Sequence, residues 1–394
     1  MFRPLPLLSL ALFGLCACGG KQAPQEQLVF GDLPAIATSD SGAIVIRTDR
    51  IDGEIDVSDP QQCRITFLEL SSKGRNYIAD ITQMRMHNDR FYILDWTAGK
   101  LFIYDRQGNC LKKIDDRGKG PREYMGLLTL AIDSDRLWVQ DRLAPQMLIY
   151  DLDGQFLKKI PRPINIYDWT RFNGRMLSYY HPQQNKHTDL GSATLCIGTE
   201  HDVLRAGFHQ TPLQQTTFGM KAFLQSWDST ETLFLPPWSD SVYRFINDST
   251  ARVAYVIDQP RSIWHQKDRK MSLSEIRNGF SDGKYTWLQT LFVGKDQILI
   301  ETIDNDKGKR YLYDKQHNRL FQIKDNYPIT GWTLAVEGNR FIGTLGPDNW
   351  DYLKGRHQSG EQKISNPDLL RLVTETDDDA NPVLVFFEFN LPDA

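Results

Sequence analysis

From residue 81 onward, short apolar runs alternate with polar turns, and helices of useful length are missing from this stretch. Residues 91–94 are apolar and β-favouring and end at Asp95, and residues 101–104 form a second such run. Between 106 and 109 the chain reads as a tight turn in which Gly108 takes positive φ, and a third strand leaves over 110–114. A further strand is predicted just before these, over 81–86.

The same pattern then returns. RFYILDWTAGKLFIYDRQGNCLKKI (90–114) and RLWVQDRLAPQMLIYDLDGQFLKKI (136–160) align without a gap at an offset of 46 and share 11 of 25 positions. The shared residues include Asp95 with Asp141, Tyr104 with Tyr150, Gly108 with Gly154, and the whole Leu-Lys-Lys-Ile ending. These are two copies of one structural unit. Four strands in a unit of ~40–45 residues is the pattern of a propeller blade, whereas a parallel solenoid needs much shorter units.

Further blades follow from the same reading. Strands are predicted at 231–236, 242–246 and 252–257, and again at 297–303, 310–313 and 319–323. Residues 169–209 fit a degraded blade and 332–345 open a last one, which brings the count to six. Roughly 58 residues per blade exceeds the minimal unit, so insertions are required. Two are visible, 258–286 and 346–382, with short helical patterns at 273–280 and 368–373. A ring also has to close, or its last blade keeps an open edge. Strands at 383–389 and 64–70 are the natural pair, both assigned to blade six. The expectation is an all-β, six-bladed propeller of four-stranded antiparallel blades, closed by N- and C-terminal strands.

Composition supports this and narrows the setting. The 394 residues include 9 Trp, 15 Tyr and 20 Phe beside 28 Gly and 19 Pro, a mixture of strand and turn formers. With 46 Lys plus Arg against 50 Asp plus Glu, the net charge of −4 argues against a nucleic-acid partner. Arg3 followed by a broken apolar stretch over 5–15 reads as a secretory signal, too short to span a membrane. Leu15-Cys16-Ala17-Cys18 resembles the lipobox of bacterial lipoproteins, with cleavage before Cys18 and acylation of that residue. Residues 1–17 are thus expected to be a signal peptide, 18–40 a flexible tether and 41–394 the propeller. Several acyl chains on one Cys anchor stably, which a single chain does not. Cys63, Cys110 and Cys196 remain, an odd and scattered trio that makes no disulfide framework.

Between the two copies lies Gly118-Lys119-Gly120-Pro121-Arg122-Glu123-Tyr124, followed by an apolar strand and a Tyr-Asp-x-x-Gly turn. This resembles the NHL repeat. More closely, the chain resembles the six-bladed β-propeller lipoproteins of bacterial envelopes. Cys18, the strand at 65–70, the loop at 118–124 and the Asn-Pro-Val-Leu stretch at 381–384 match their pattern. That resemblance implies a fold and an envelope location, on the outer membrane and facing periplasm or surface, and implies no reaction or cofactor.

Local motifs for chemistry are weak. Gly118-Lys119-Gly120 lacks the spacing and the helix of a phosphate loop. Eight histidines show no ligand spacing, and the Asp304-Asn305-Asp306 stretch has Lys315 where a calcium loop needs its distal Glu. No nucleophile elbow, no paired carboxylates and no metal ligands are identified. The alternative to a non-enzymatic module is a metal-dependent lyase or lactone hydrolase centred in the channel, whose residues would come from separate blades. The loops between second and third strands share a face with the blade-to-blade loops. They carry Trp96, Lys100, Lys119, Arg122, Tyr124, Arg142 and Trp238 as candidate ligand contacts, together with Trp169 and Trp350. The function expected is that of an envelope-anchored module binding an envelope protein, peptide or glycan through this face.

Overall fold

The computed structural model describes residues 28–162, 164–215, 223–226, 231–305, 307–324, 329–361, 364–376 and 380–391. The strands group into six sheets, each built around a four-stranded antiparallel blade. Blade one is Gln83–His87, Arg90–Asp95, Lys100–Asp105 and Cys110–Ile114, numbered from the channel outward. Blade two repeats it with Leu127–Asp133, Arg136–Asp141, Gln146–Asp151 and Phe156–Pro161. Each innermost strand touches the innermost strand of the next blade, and that of blade six touches that of blade one. The ring is closed.

Blade three, read from sequence as degraded, is complete: Ile166–Phe172, Arg175–Tyr180, Ala193–Gly198 and Val203–His209. Its irregularity lies in the twelve-residue loop 181–192, which interrupts the apolar pattern without breaking the sheet. Blade four is Phe223–Ser226, Thr232–Leu235, Ser241–Asn247 and Thr250–Asp258. Blade five is Thr286–Val293, Gln297–Asp304, Lys307–Asp314 and Arg319–Lys324. Blade six joins the two ends of the chain. Val383–Phe389 is its third strand, paired on one side with Arg340–Leu345 and on the other with Cys63–Glu69, the outermost strand.

The insertions carry the helices. Leu273–Ser281 follows blade four and begins with a capping box, Ser272 with Glu275. The insertion of blade six holds two helices, Pro347–Gln358 and Pro367–Glu375, where the sequence indicated only the second. The first has little apolar periodicity; Pro347 starts it, and buried Trp350 and Leu353 hold it to the blade.

Residues ahead of blade six form a belt. Leu28 bridges Thr188, and Ala35 bridges Ala206 on blade three. Ala37–Ser39 and Ile44–Arg47 then run parallel to the outermost strand of blade four, and Gly53–Asp56 to that of blade five. The stretch read as tether is therefore paired with the body from Leu28 onward. Ile36, Ile46 and Ile55, each no more than 6% exposed, fasten this belt, at about 1.5–3 kcal/mol for each buried side chain.

The core lies between blades. Tyr92, Leu101 and Ile103 of blade one pack on Leu130, Leu137 and Leu148 of blade two. Trp138 of blade two meets Trp169 of blade three edge-on at 5.9 Å. Leu299 and Leu312 of blade five pack with Phe341 and Phe387 of blade six.

Candidate functional site

Strand direction alternates within every blade, so second-to-third-strand loops and blade-to-blade connections emerge on one face. Every helical segment among the described residues lies there: Pro182–Gln184, Pro212–Gln215, Ile263–Gln266, Leu273–Ser281, Pro347–Gln358 and Pro367–Glu375. On the opposite face the fully described turns have two to four residues, such as 88–89, 106–109, 134–135, 152–155 and 173–174. One face is built up and the other is trimmed.

The repeat explains how the built-up face is held. Asp95 and Asp141, shared by the two copies, end the second strands and are fully buried. Asp95 accepts from the Ala98 amide in its own loop (2.7 Å) and from the Ala79 amide in the incoming connection (2.6 Å). Asp141 does the same for Leu143 (3.0 Å) and Met125 (3.1 Å). Each carboxyl group thus ties two neighbouring loops together through backbone amides.

Five of the seven candidate residues reach the surface of this face. Trp96 is half-buried, with the Arg142 guanidinium over its ring at 5.1 Å. Lys100 is half-buried near Asp115 (3.9 Å), while Lys119 and Arg122 are exposed. Tyr124 and Trp238 lie inside instead. Tyr124 is fully buried between blades one and two, its hydroxyl donating to the Gly99 carbonyl at 2.8 Å, and burial pushes that hydroxyl well above its ordinary pKa. Trp238 stacks on Phe280 (5.7 Å) and leans on Trp287 (4.7 Å), packing the post-blade-four helix down. Trp169 and Trp350 are likewise buried.

The face also presents side chains that sequence reasoning missed. Leu143 is 66% exposed, Trp332 55% and Tyr77 51%. Trp332 opens the innermost strand of blade six, at the mouth of the channel, and follows Gly331, whose φ is +60°. A Cβ on Gly331 would overlap the Thr344 carbonyl, so the backbone under this Trp is tightly set.

The channel wall is bridged on one side. Arg85 of blade one reaches Asp168 of blade three (2.9 Å), and Gln83 also donates to Asp168 (3.2 Å). Gln83 accepts in turn from the Leu130 amide of blade two (2.7 Å). Among the described residues no three His, Cys, Asp or Glu side chains gather in a metal-holding cluster. Cys18, Asp306 and the acidic run 377–379 lie outside the described residues.

No curated protein matches the sequence. Among solved structures, a protein of Bacteroides fragilis NCTC 9343 described as exported, BF0058, is similar at a TM-score of 0.71 and 17% identity, covering 88% of this chain and all of that one. A DUF4221 member from Bacteroides vulgatus is similar at 0.52 and 9% identity, covering 85% of this chain and all of that one. At these identities the likeness is one of fold. Residues 49–388, from the belt through the closing strand of blade six, match the family described as a domain of unknown function, DUF4934, and the chain belongs to it.

Proposed function

We propose that this chain is an envelope lipoprotein, anchored through Cys18, whose propeller offers its built-up face to a protein, peptide or glycan partner. The observation that carries this reading is the asymmetry between the faces. Helices and long loops on a rigid ring collect where binding is done, and one face has them all among the described residues. That face combines exposed Trp332 and Tyr77 with Arg122, residue types that concentrate binding energy, beside exposed Leu143, and its cations Lys119 and Arg122 steer an acidic or polar partner. The envelope location rests on the lipobox-like leader and on the fold neighbour described as exported.

Site-specific photocrosslinking in envelope preparations tests the proposal. A crosslinker at 143 or 332 should give a discrete adduct, and one at 88 or 107 on the trimmed face should give none. Adducts from the trimmed face alone would overturn it.

A further inference from the structure

The N-terminal chain joins the body at one corner of the built-up face. The Leu28 amide donates at 2.7 Å to the carbonyl of His187, in the second-to-third-strand loop of blade three. The Phe30 and Gly31 amides then donate to the Asp189 carboxylate of the same loop, at 2.8 and 2.9 Å. Leu28 stands ten residues after Cys18, and ten residues of chain reach ~36 Å at most. An acylated Cys18 therefore keeps this corner of the ring near the bilayer.

The insertion after blade four stands at the same corner. Gln183, in the loop that holds Leu28, donates to the Gln215 carbonyl at 3.2 Å. The Leu213 amide donates in turn to the Lys267 carbonyl at 3.1 Å. The insertion is firmly seated, because Ile263, Met271, Ile276 and Phe280 are buried with Leu213 and Trp238 beneath it. The capping box at Ser272 fixes where its helix starts.

With those side chains turned inward, the outward surface is basic and partly apolar. Lys267, Arg269 and Lys270 are exposed, with Asp268 the one acid among them, and Lys186 is exposed on the blade-three loop. Leu273, first residue of the helix, is 53% exposed, and the Lys267 ammonium lies 5.8 Å over the half-buried Trp264 ring. The trimmed face instead exposes Asp89, Asp135 and Asp153 in its turns. A chain of net charge −4 is repelled as a whole by an anionic surface, so contact falls on a basic corner. Cations beside an exposed apolar side chain are what settles at the headgroup boundary of a bilayer.

We infer that the 259–285 insertion rests on the anionic phospholipid headgroups of the membrane that holds the anchor, through Lys267, Arg269, Lys270 and Leu273. This contact depends on the acylation of Cys18 proposed above. It divides the built-up face. The corner at blades three and four meets lipid, and the side chains offered to a partner, Trp332, Tyr77, Leu143, Lys119 and Arg122, stand around blades six, one and two across the ring.

The acylated protein is reconstituted into phosphatidylcholine vesicles with roughly 30% phosphatidylglycerol, carrying a photocrosslinker at 273 or, as control, at 135. Flotation with the vesicles reads anchoring, and a phospholipid adduct found by mass spectrometry reads contact. Adducts are expected at 273 and not at 135. The yield at 273 should fall about fivefold in phosphatidylcholine alone, in about 0.5 M salt, and in the Lys267→Glu/Arg269→Glu/Lys270→Glu variant. If that variant melts early, the salt and lipid dependences decide. Protein that floats without an adduct at 273 overturns the inference and leaves the anchor intact, whereas protein that does not float overturns both. Equal yields at 273 and 135, yields indifferent to charge, or an adduct at 273 to a second copy in place of lipid also overturn it.

Discussion

Gly108 lies directly against the backbone of Glu69. The turn of blade one packs on the last residue of the outermost strand of blade six, so closely that a Cβ on Gly108 would overlap the Glu69 carbonyl oxygen. Two residues on, the Ser71 amide donates to the Gly108 carbonyl at 2.9 Å. Gly154, the same position in the second copy, packs instead on side chains of blade one, with a built Cβ 2.8 Å from Lys112 Cγ and 3.0 Å from Ile103 Cδ1. The glycine of the Tyr-Asp-x-x-Gly turn therefore has two tasks, a positive φ and a close approach between blades.

Both glycines have φ near +80°, so alanine strains either backbone by about 1 kcal/mol. At Gly108 the overlapped atom belongs to the backbone, which must shift, whereas at Gly154 the Lys112 stem can swing aside. Gly108→Ala should thus lose about 2–3 kcal/mol of stability and Gly154→Ala nearer 1. Urea unfolding of the two variants checks the order. Equal losses would mean that the turn conformation alone accounts for the shared glycine.

That turn, like the paired Asp95 and Asp141, was readable because both copies keep it while the loop between second and third strands, 96–100 against 142–146, diverges. The second and third strands of the first copy were readable because each holds a run of four apolar residues, 91–94 and 101–104, between turn formers. The belt was not. Its strands are three or four residues long and are fastened by single isoleucines, a signal no periodicity reveals. The candidate face was read from connectivity, because second-to-third-strand loops and blade-to-blade loops share a side, and Lys119 and Arg122 lie exposed on it. Aromatic residues were harder, because a Trp in a loop serves equally to pack a helix, as Trp238 does, or to meet solvent, as Trp332 does. Only the position of each in the ring decides between them.

Asp240 gives the stability a pH dependence of known sign. Its carboxyl ends the second-to-third-strand loop of blade four and is 6% exposed. Burial raises its pKa from an ordinary 3.8 to about 6, against the opposing effect of hydrogen bonds from Ser262 and Gln259 and of nearby His265. The folded state therefore holds this proton more tightly than the unfolded chain. Its contribution is fully present below pH ~4 and is lost as pH rises through ~6, an effect of up to about 3 kcal/mol. Asp240→Asn keeps an acceptor for Gln259 and should flatten the unfolding free energy between pH 4 and 6. An unchanged slope in the variant would assign the dependence to other groups.

The proposed anchoring rests on Cys18, outside the described part of the chain, so its test is biochemical. Thioether and amide acylation both need Cys18, and acyl chains on this one residue are what would hold the protein to a bilayer. Cys18→Ala should move the protein from the membrane fraction to the soluble one. If the variant sediments with membranes as the parent does, the lipoprotein reading is wrong.

Closure of the ring rests on Val383–Phe389, which pairs over 383–388 with Arg340–Leu345 and over 383–389 with Cys63–Glu69. Phe387 is fully buried, stacked on Phe341 at 5.7 Å and edge-on to Phe389 at 5.7 Å. Phe387→Ala leaves a cavity at the junction of blades five and six and should cost about 3–5 kcal/mol. Typical domains hold only ~5–15 kcal/mol, so this one change should lower the whole transition and not fray an end. Deleting 383–394 goes further. It strips the ladder from Arg340–Leu345 and detaches Cys63–Glu69 from the ring, which opens blade six on both sides of the gap. Calorimetry of Phe387→Ala should show one cooperative transition at lower temperature, and the truncated chain should show none. A soluble truncated protein with the parent's unfolding temperature would mean that the ring does not depend on its closing strand.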